Sequence, residues 1–118
     1  MVQIKQLVSA ARTMISMQVG LSVGALRVVG MLRELGEPYE TRHGVFAEFM
    51  MAIPADIPVG TARLYWTPQA LLDRDAVLAA IEARFRKRLL EECFEIIRMY
   101  KPEQPATTPE PPSVFSAV

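Results

Sequence analysis

The sequence offers three groups of side chains that could do chemistry: a histidine, a cysteine and a run of basic residues. The histidine, His43, has acidic neighbours in Glu40 and Glu48, and a carboxylate beside an imidazole can serve acid–base catalysis. It also follows a proline-marked turn, between Arg42 and Gly44, where a solvated loop histidine is the ordinary outcome. We therefore expect a loop histidine here and not a catalytic one.

The single cysteine, Cys93, belongs to an apolar stripe and has Glu91, Glu92 and Glu95 close in sequence. Burial and negative charge both disfavour the thiolate that a cysteine nucleophile needs. One cysteine rules out an intrachain disulfide, and one cysteine with one histidine rules out the common zinc constellations. The sequence thus predicts a structural cysteine, with no metal, no cofactor and no enzymatic activity.

The basic segment places four cations within five positions: Arg84, Arg86, Lys87 and Arg88. On a helix these cations spread around much of the circumference, and pairs with acids four residues away are expected: Glu82–Arg86, Lys87–Glu91 and Arg88–Glu92. Over the whole chain, thirteen Lys and Arg balance thirteen Asp and Glu, which removes the electrostatic footprint of a nucleic-acid binder. A salt-bridged surface is favoured, and nucleic-acid contact through these four residues is the alternative.

The elements that position these groups follow from composition and spacing. The 118 residues are 51% hydrophobic and 22% charged, which is typical of one folded domain. Apolar residues over 4–15 follow helical spacing, and over 14–32 they occur on every side. Gly36 and Pro38 then give a stop signal. The sequence predicts one long helix over about residues 3–35.

The remainder of the fold is predicted to be mainly α as well. The middle segment, residues 37–67, contains apolar runs at 45–53 and 61–66 that fit short helices or a β-hairpin, and we favour the helices. A second long helix is predicted over 68–100, because Thr67 can cap it and apolar residues then recur every three or four positions.

Composition changes after Lys101, where five of the nine prolines lie. Such a segment favours extended structure, so we expect a single helical domain over 1–101 and a Pro-rich tail over 102–118. The apolar end of the tail and a pair of neighbouring aromatics are candidate anchors for a partner: Tyr65, Trp66 and Phe115.

A helix that is apolar on every side over 14–32 would expose one side in a two-layer monomer. We expect another protein chain to cover it, in preference to the middle segment or lipid. Small residues spaced by four would let a second helix approach closely: Ser16, Gly20 and Gly24. Methionines would add adaptable contact surface: Met14, Met17 and Met31.

These features predict a non-catalytic helical structural or assembly subunit, or an adaptor. It would self-associate or dock into a larger complex, for example a virion or another bacterial assembly. It would be cytoplasmic or part of such an assembly. Two alternatives stay open: a small DNA-binding regulator that uses residues 84–88, and a membrane-associated accessory subunit inserted through residues 14–32.

Overall fold

The computed structural model describes residues 2–100, and their regular structure is helical throughout. The α-helices are α1 (Ile4–Ile15), α2 (Leu21–Leu35), α3 (Tyr39–Arg42), α4 (Val45–Ala52) and α5 (Pro68–Tyr100). A 3₁₀ segment covers Gly60–Tyr65. The mainly α fold is confirmed, and no β-hairpin forms in the middle segment. The predicted Pro-rich tail over 102–118, with Phe115, lies outside the described residues.

The single helix predicted over residues 3–35 is wrong, because a turn divides it into α1 and α2. Met17 adopts a φ of 64°, in the left-handed region that no helix interior uses, and Gly20 is the extended residue that precedes α2. The backbone N–H of Val2 donates a hydrogen bond to the Glu34 carboxylate over 3.3 Å, which brings the start of α1 beside the end of α2. The two helices therefore form an antiparallel hairpin.

This turn folds the apolar stretch 14–32 back against the rest of the chain. Helix α2 contacts α1, α4 and α5, and its buried side chains join the common core: Leu21, Ala25, Val28, Val29 and Leu32. The large apolar residues of the stretch that stay exposed are Met17, at 66%, and Leu26, at 46%. The expectation that a second chain must cover this stretch is wrong, because the chain's own helices cover most of it.

The second long helix is confirmed, and α5 is the longest described element, with 33 residues or about 50 Å. Thr67 caps it as predicted, since its Oγ1 accepts the N–H of Ala70 over 3.2 Å. The predicted apolar stripe is buried from Leu78 onward: Leu78, Ile81, Phe85, Leu89, Cys93 and Ile96. None of the first ten residues of α5 is buried, so about 15 Å of this helix reaches past the core.

Two glycines of α2 test this packing. A Cβ added at Gly24 would lie 2.5 Å from Cγ of the buried Met14, whereas a Cβ at Gly30 would meet nothing within 4 Å. Gly24→Ala should lower the free energy of unfolding by about 1–3 kcal/mol through overpacking. Gly30→Ala, its matched control, should raise it by about 1 kcal/mol through helix propensity. Chemical denaturation of both variants checks this, and equal stabilities would contradict the packing of α1 on α2.

Candidate functional site

The expectation of a solvated loop histidine is wrong, because His43 is fully buried. Its Nδ1 lies 2.6 Å from Oε2 of Glu92, and its Nε2 lies 2.9 Å from the hydroxyl of Tyr100. The carboxylates that the sequence placed near it, Glu40 and Glu48, are not its partners. A histidine between two short helices thus forms a cluster with two side chains of α5, and we call these three residues the His43 cluster.

Local structure brings His43 to this place. His43 is the C-cap of α3, with φ −110° and ψ 41°, and the next residue, Gly44, is the N-cap of α4. This sharp junction turns the imidazole toward the C-terminal half of α5. The Tyr100 ring packs edge-on against the imidazole, with ring centroids 5.5 Å apart, and Arg42 Nη1 donates to the Tyr100 hydroxyl over 3.3 Å.

A carboxylate, an imidazole and a hydroxyl that contact one another in sequence are the parts of an acid–base relay. In this protein, however, the imidazole is not accessible to a substrate. Both ring nitrogens of His43 are occupied by protein partners, and its side chain has no exposed surface. A neighbouring surface cavity of about 360 Å³ is lined by Val45 and by residues of α5 that include Glu92, but not by His43 or Tyr100. The geometry favours a structural role, in which the cluster joins the α3–α4 junction to α5.

Cys93 is buried at the centre of the core, as its place on the apolar stripe predicts. Its Sγ lies 3.7 Å from Sδ of Met14 on α1. Burial, and secondarily the charge of Glu92, raise the pKa of this thiol to about 12. The thiolate is therefore strongly disfavoured at neutral pH, and the thiol donates a weak hydrogen bond to the Met14 thioether between two helices.

The basic segment of α5 makes different ion pairs from those predicted. Arg88 binds Glu48 of α4 through two hydrogen bonds, of 2.7 and 3.0 Å, and these lower the pKa of Glu48. Glu92 is instead part of the His43 cluster, and Glu82 accepts the hydroxyl of Ser22 over 2.6 Å. Of the predicted pairs, only Lys87–Glu91 forms, at 3.9 Å. Tertiary partners have replaced neighbours along the helix.

Arg84 and Arg86 form no ion pair with any residue of 2–100, and both are exposed. Arg84 instead places its guanidinium 5.5 Å from the centre of the Phe85 ring. The four cations of the basic segment are thus divided between ion-paired and unpaired positions. As a nucleic-acid contact, the segment would offer two free arginines.

The residues predicted as a helix-packing interface do not form one stripe. Ser16 and Gly20 lie in the turn between α1 and α2, and a Cβ at Gly20 would meet nothing within 4 Å. Gly24 and Met14 are buried against each other inside the chain. The four-residue spacing required a continuous helix, which the turn removes. Met17 is exposed and Met31 half-buried, so these two methionines keep some outward surface.

Large apolar side chains are exposed on both sides of the junction between the 3₁₀ segment and α5, and Met51 of α4 is exposed as well, at 85%. Leu64 is 82% exposed, Tyr65 91% and Leu72 64%. We call these three residues the Leu64–Leu72 surface. Tyr65 was predicted as a partner anchor from its aromatic character, whereas Leu64 and Leu72 were missed. Trp66, the other predicted anchor, is half-buried, with the guanidinium of Arg74 over its ring at 4.5 Å.

Two arginines hold the 3₁₀ segment and the loop before it against α5. Arg63 donates two hydrogen bonds to Asp75, of 2.7 and 3.0 Å, and these lower the pKa of Asp75. Arg74 Nε donates to the backbone carbonyl of Asp56 over 3.1 Å while its guanidinium lies over Trp66. These contacts tie the 3₁₀ segment and the loop before it to α5 next to the Leu64–Leu72 surface.

Among the helices of residues 2–100, none combines the length and the apolar character needed to cross a membrane. Within the same residues, no group of three or more histidine, cysteine, aspartate or glutamate side chains is placed to hold a metal ion.

The His43 cluster should contribute to stability. His43→Ala removes a fully buried ring and leaves Glu92 and the Tyr100 hydroxyl without this partner, so we expect a loss of about 2–4 kcal/mol in the free energy of unfolding. Glu91, which is exposed and precedes Glu92 in sequence, provides the control. Glu91→Ala should change the free energy of unfolding by less than about 0.5 kcal/mol. Urea denaturation measures both, and a tolerated His43→Ala would refute the structural role.

The Arg63–Asp75 contact should depend on pH. Because the pKa of Asp75 is lowered in the folded state, the contact is complete above the ordinary pKa of aspartate and is lost as pH falls through the lowered value. The fluorescence of the single tryptophan, Trp66, should therefore shift to the red in acid. Asp75→Asn should show that shift already at pH 7, and Asp73→Asn should behave like the wild type. A pH profile unchanged by Asp75→Asn would contradict the contact.

Comparison with known proteins supplies no further assignment. No protein-family model, no curated protein and no solved structure matches this chain.

Proposed function

We propose that this chain is a non-catalytic helical association subunit that binds another protein through the Leu64–Leu72 surface. The observation that carries the proposal is the exposure of three large apolar side chains at one end of α5, on a segment braced by Arg63 and Arg74. Exposed apolar side chains that lie together mark protein–protein contact sites, and tyrosine is among the residues that contribute most to affinity at such sites.

The arrangement of polar groups supports association over catalysis. His43, the residue with the most suitable acid–base chemistry, has no exposed surface and no free ring nitrogen. Cys93 is held as a thiol by its raised pKa of about 12. The groups with reactive potential thus serve the packing of the chain, and the large apolar side chain of Leu72 is exposed near the start of α5.

The DNA-binding alternative has weaker support. Arg88 and Lys87 are engaged by Glu48 and Glu91, and each phosphate contact made by either would have to replace an existing carboxylate. Arg84 and Arg86 alone would supply a small electrostatic term, since nonspecific DNA affinity depends on the number of phosphates neutralised.

Site-specific photo-crosslinking in the native cells tests the proposed function. A photoreactive amino acid at Tyr65 of the full chain should give a discrete cross-linked product, which mass spectrometry identifies. The same group at Ser9, an exposed position of α1, should not give that product. Cross-linking from Tyr65 that never exceeds the Ser9 background would refute association through this surface.

A pair of surface variants provides the matched control for affinity. Leu64→Ser and Leu72→Ser each remove an exposed apolar side chain, so the cross-linked yield from Tyr65 should fall several-fold while helical content stays unchanged by circular dichroism. Unchanged yield in both variants would contradict the role of this surface.

A further inference from the structure

The side of α5 that faces away from the core carries an apolar face in the N-terminal half of the helix. Leu72 lies at its start, 64% exposed. Exposed alanines follow at helical spacing: Ala76, Ala79, Ala80 and Ala83. We call these five residues the outer face of α5. Charged side chains normally occupy the solvent side of a helix, so an apolar outer face opposite a buried stripe indicates a second packing partner.

Charges flank this face asymmetrically along the helix. The end nearer the N-terminus carries the acids Asp73 and Asp75, and the end nearer the C-terminus carries Arg84, Arg86 and Lys87. Asp73, Arg84 and Arg86 form no ion pair among residues 2–100, while Asp75 is held by Arg63 and Lys87 by Glu91. The free charges beside the outer face are therefore one acid near its start and two arginines near its end.

We propose that a second copy of this chain packs antiparallel on the outer face of α5, centred between Ala79 and Ala80. This inference deepens the proposed function and rests on it, because it names the partner. In this register Ala76 lies opposite Ala83 of the second copy, and Asp73 lies on the same flank as Arg84 of the second copy. Two-fold symmetry repeats each of these contacts.

Charge complementarity fixes the direction of this packing. A parallel arrangement would place acids against acids and bases against bases, which is destabilising. The antiparallel arrangement brings the acidic end of each copy to the basic end of the other. Alanines at the centre allow the two helix axes to approach to about 8 Å, because no longer side chain separates them.

The size of the contact sets the expected affinity. The helix from Leu72 to Lys87 is about 22 Å long. A face of that length buries less than the roughly 800 Å² per partner of a standard interface. We therefore expect a dimer that dissociates in the micromolar range and requires concentrated protein to detect.

Engineered cysteines in the full chain test the register. Ala80 lies close to the two-fold axis, so Ala80→Cys should form a disulfide-linked dimer under mild oxidation. Ala76→Cys should not, because the two copies of position 76 lie about 10 Å apart along the axis. A mixture of the Ala76→Cys and Ala83→Cys proteins should form the mixed disulfide. The wild type, whose Cys93 is buried, should stay uncrosslinked.

Two outcomes of the disulfide experiment would overturn the proposal. Disulfide formation by Ala76→Cys alone, as fast as by Ala80→Cys, would indicate a parallel pair. Ala80→Cys dimers that form no faster than those of Ser9→Cys, a control on the exposed side of α1, would show that the outer face does not pair.

Charge reversal provides a second, independent measurement. Asp73→Arg would face Arg84 of the second copy twice, so we expect the dissociation constant to rise by roughly tenfold or more. Adding Arg84→Asp to the same chain should restore dimerisation. Sedimentation of 10–200 µM protein, as approximate working concentrations, distinguishes dimer from the 13.2 kDa monomer.

The two proposals fail differently. A wild type that remains monomeric at the highest concentration, or a double variant that does not recover, would refute the antiparallel pair. A product from Tyr65 that contains a different protein, together with a monomeric chain, would leave the proposed function standing and remove the second copy as the partner.

Discussion

The buried stripe of α5 is the constraint on which the rest of the structure depends. Its side chains, from Leu78 to Ile96, need cover along about 27 Å of helix, and no single short helix of this chain could supply it. Helices α1, α2 and α4 all pack against it, and the His43 cluster and the Ser22–Glu82 hydrogen bond add polar contacts at two places along it. The placement of α1, α2 and α4 around α5 meets this requirement.

The same constraint decides where apolar surface remains. Once the hairpin of α1 and α2 is folded onto α5, most of the large apolar side chains of residues 14–32 are buried within one chain. The largest exposed apolar groups then belong mostly to the 3₁₀ segment and to α5 itself, on the side away from the core: Leu64, Tyr65, Leu72 and Phe94. We therefore assign the proposed association surface to the 3₁₀ segment and α5 and not to α2.

The sequence predicted helix α5 with its cap and its stripe because these depend on spacing within one element. The turn after α1 was missed because its one local signal, Gly20, resembles Gly24 and Gly30, which lie inside α2, and each side of the turn keeps a helical pattern. The partner of His43 could not be predicted from the sequence either. His43 and Glu92 are 49 residues apart, whereas proximity in sequence indicated Glu40 and Glu48 as its partners. Exposure at Leu64 and Leu72 has no signature in sequence, because only tertiary packing determines which apolar residues are left uncovered.

The most direct test of this account is the distance between the start of α1 and the end of α2, measured by pulsed electron paramagnetic resonance. Spin labels on Gln3→Cys and Glu34→Cys, diluted into unlabelled protein, report one chain at a time. The hairpin predicts a distance below about 20 Å, since Val2 donates a hydrogen bond to Glu34. A distance near 46 Å, the length of 31 residues in a continuous helix, would contradict the fold and the assignment of free apolar surface to α5.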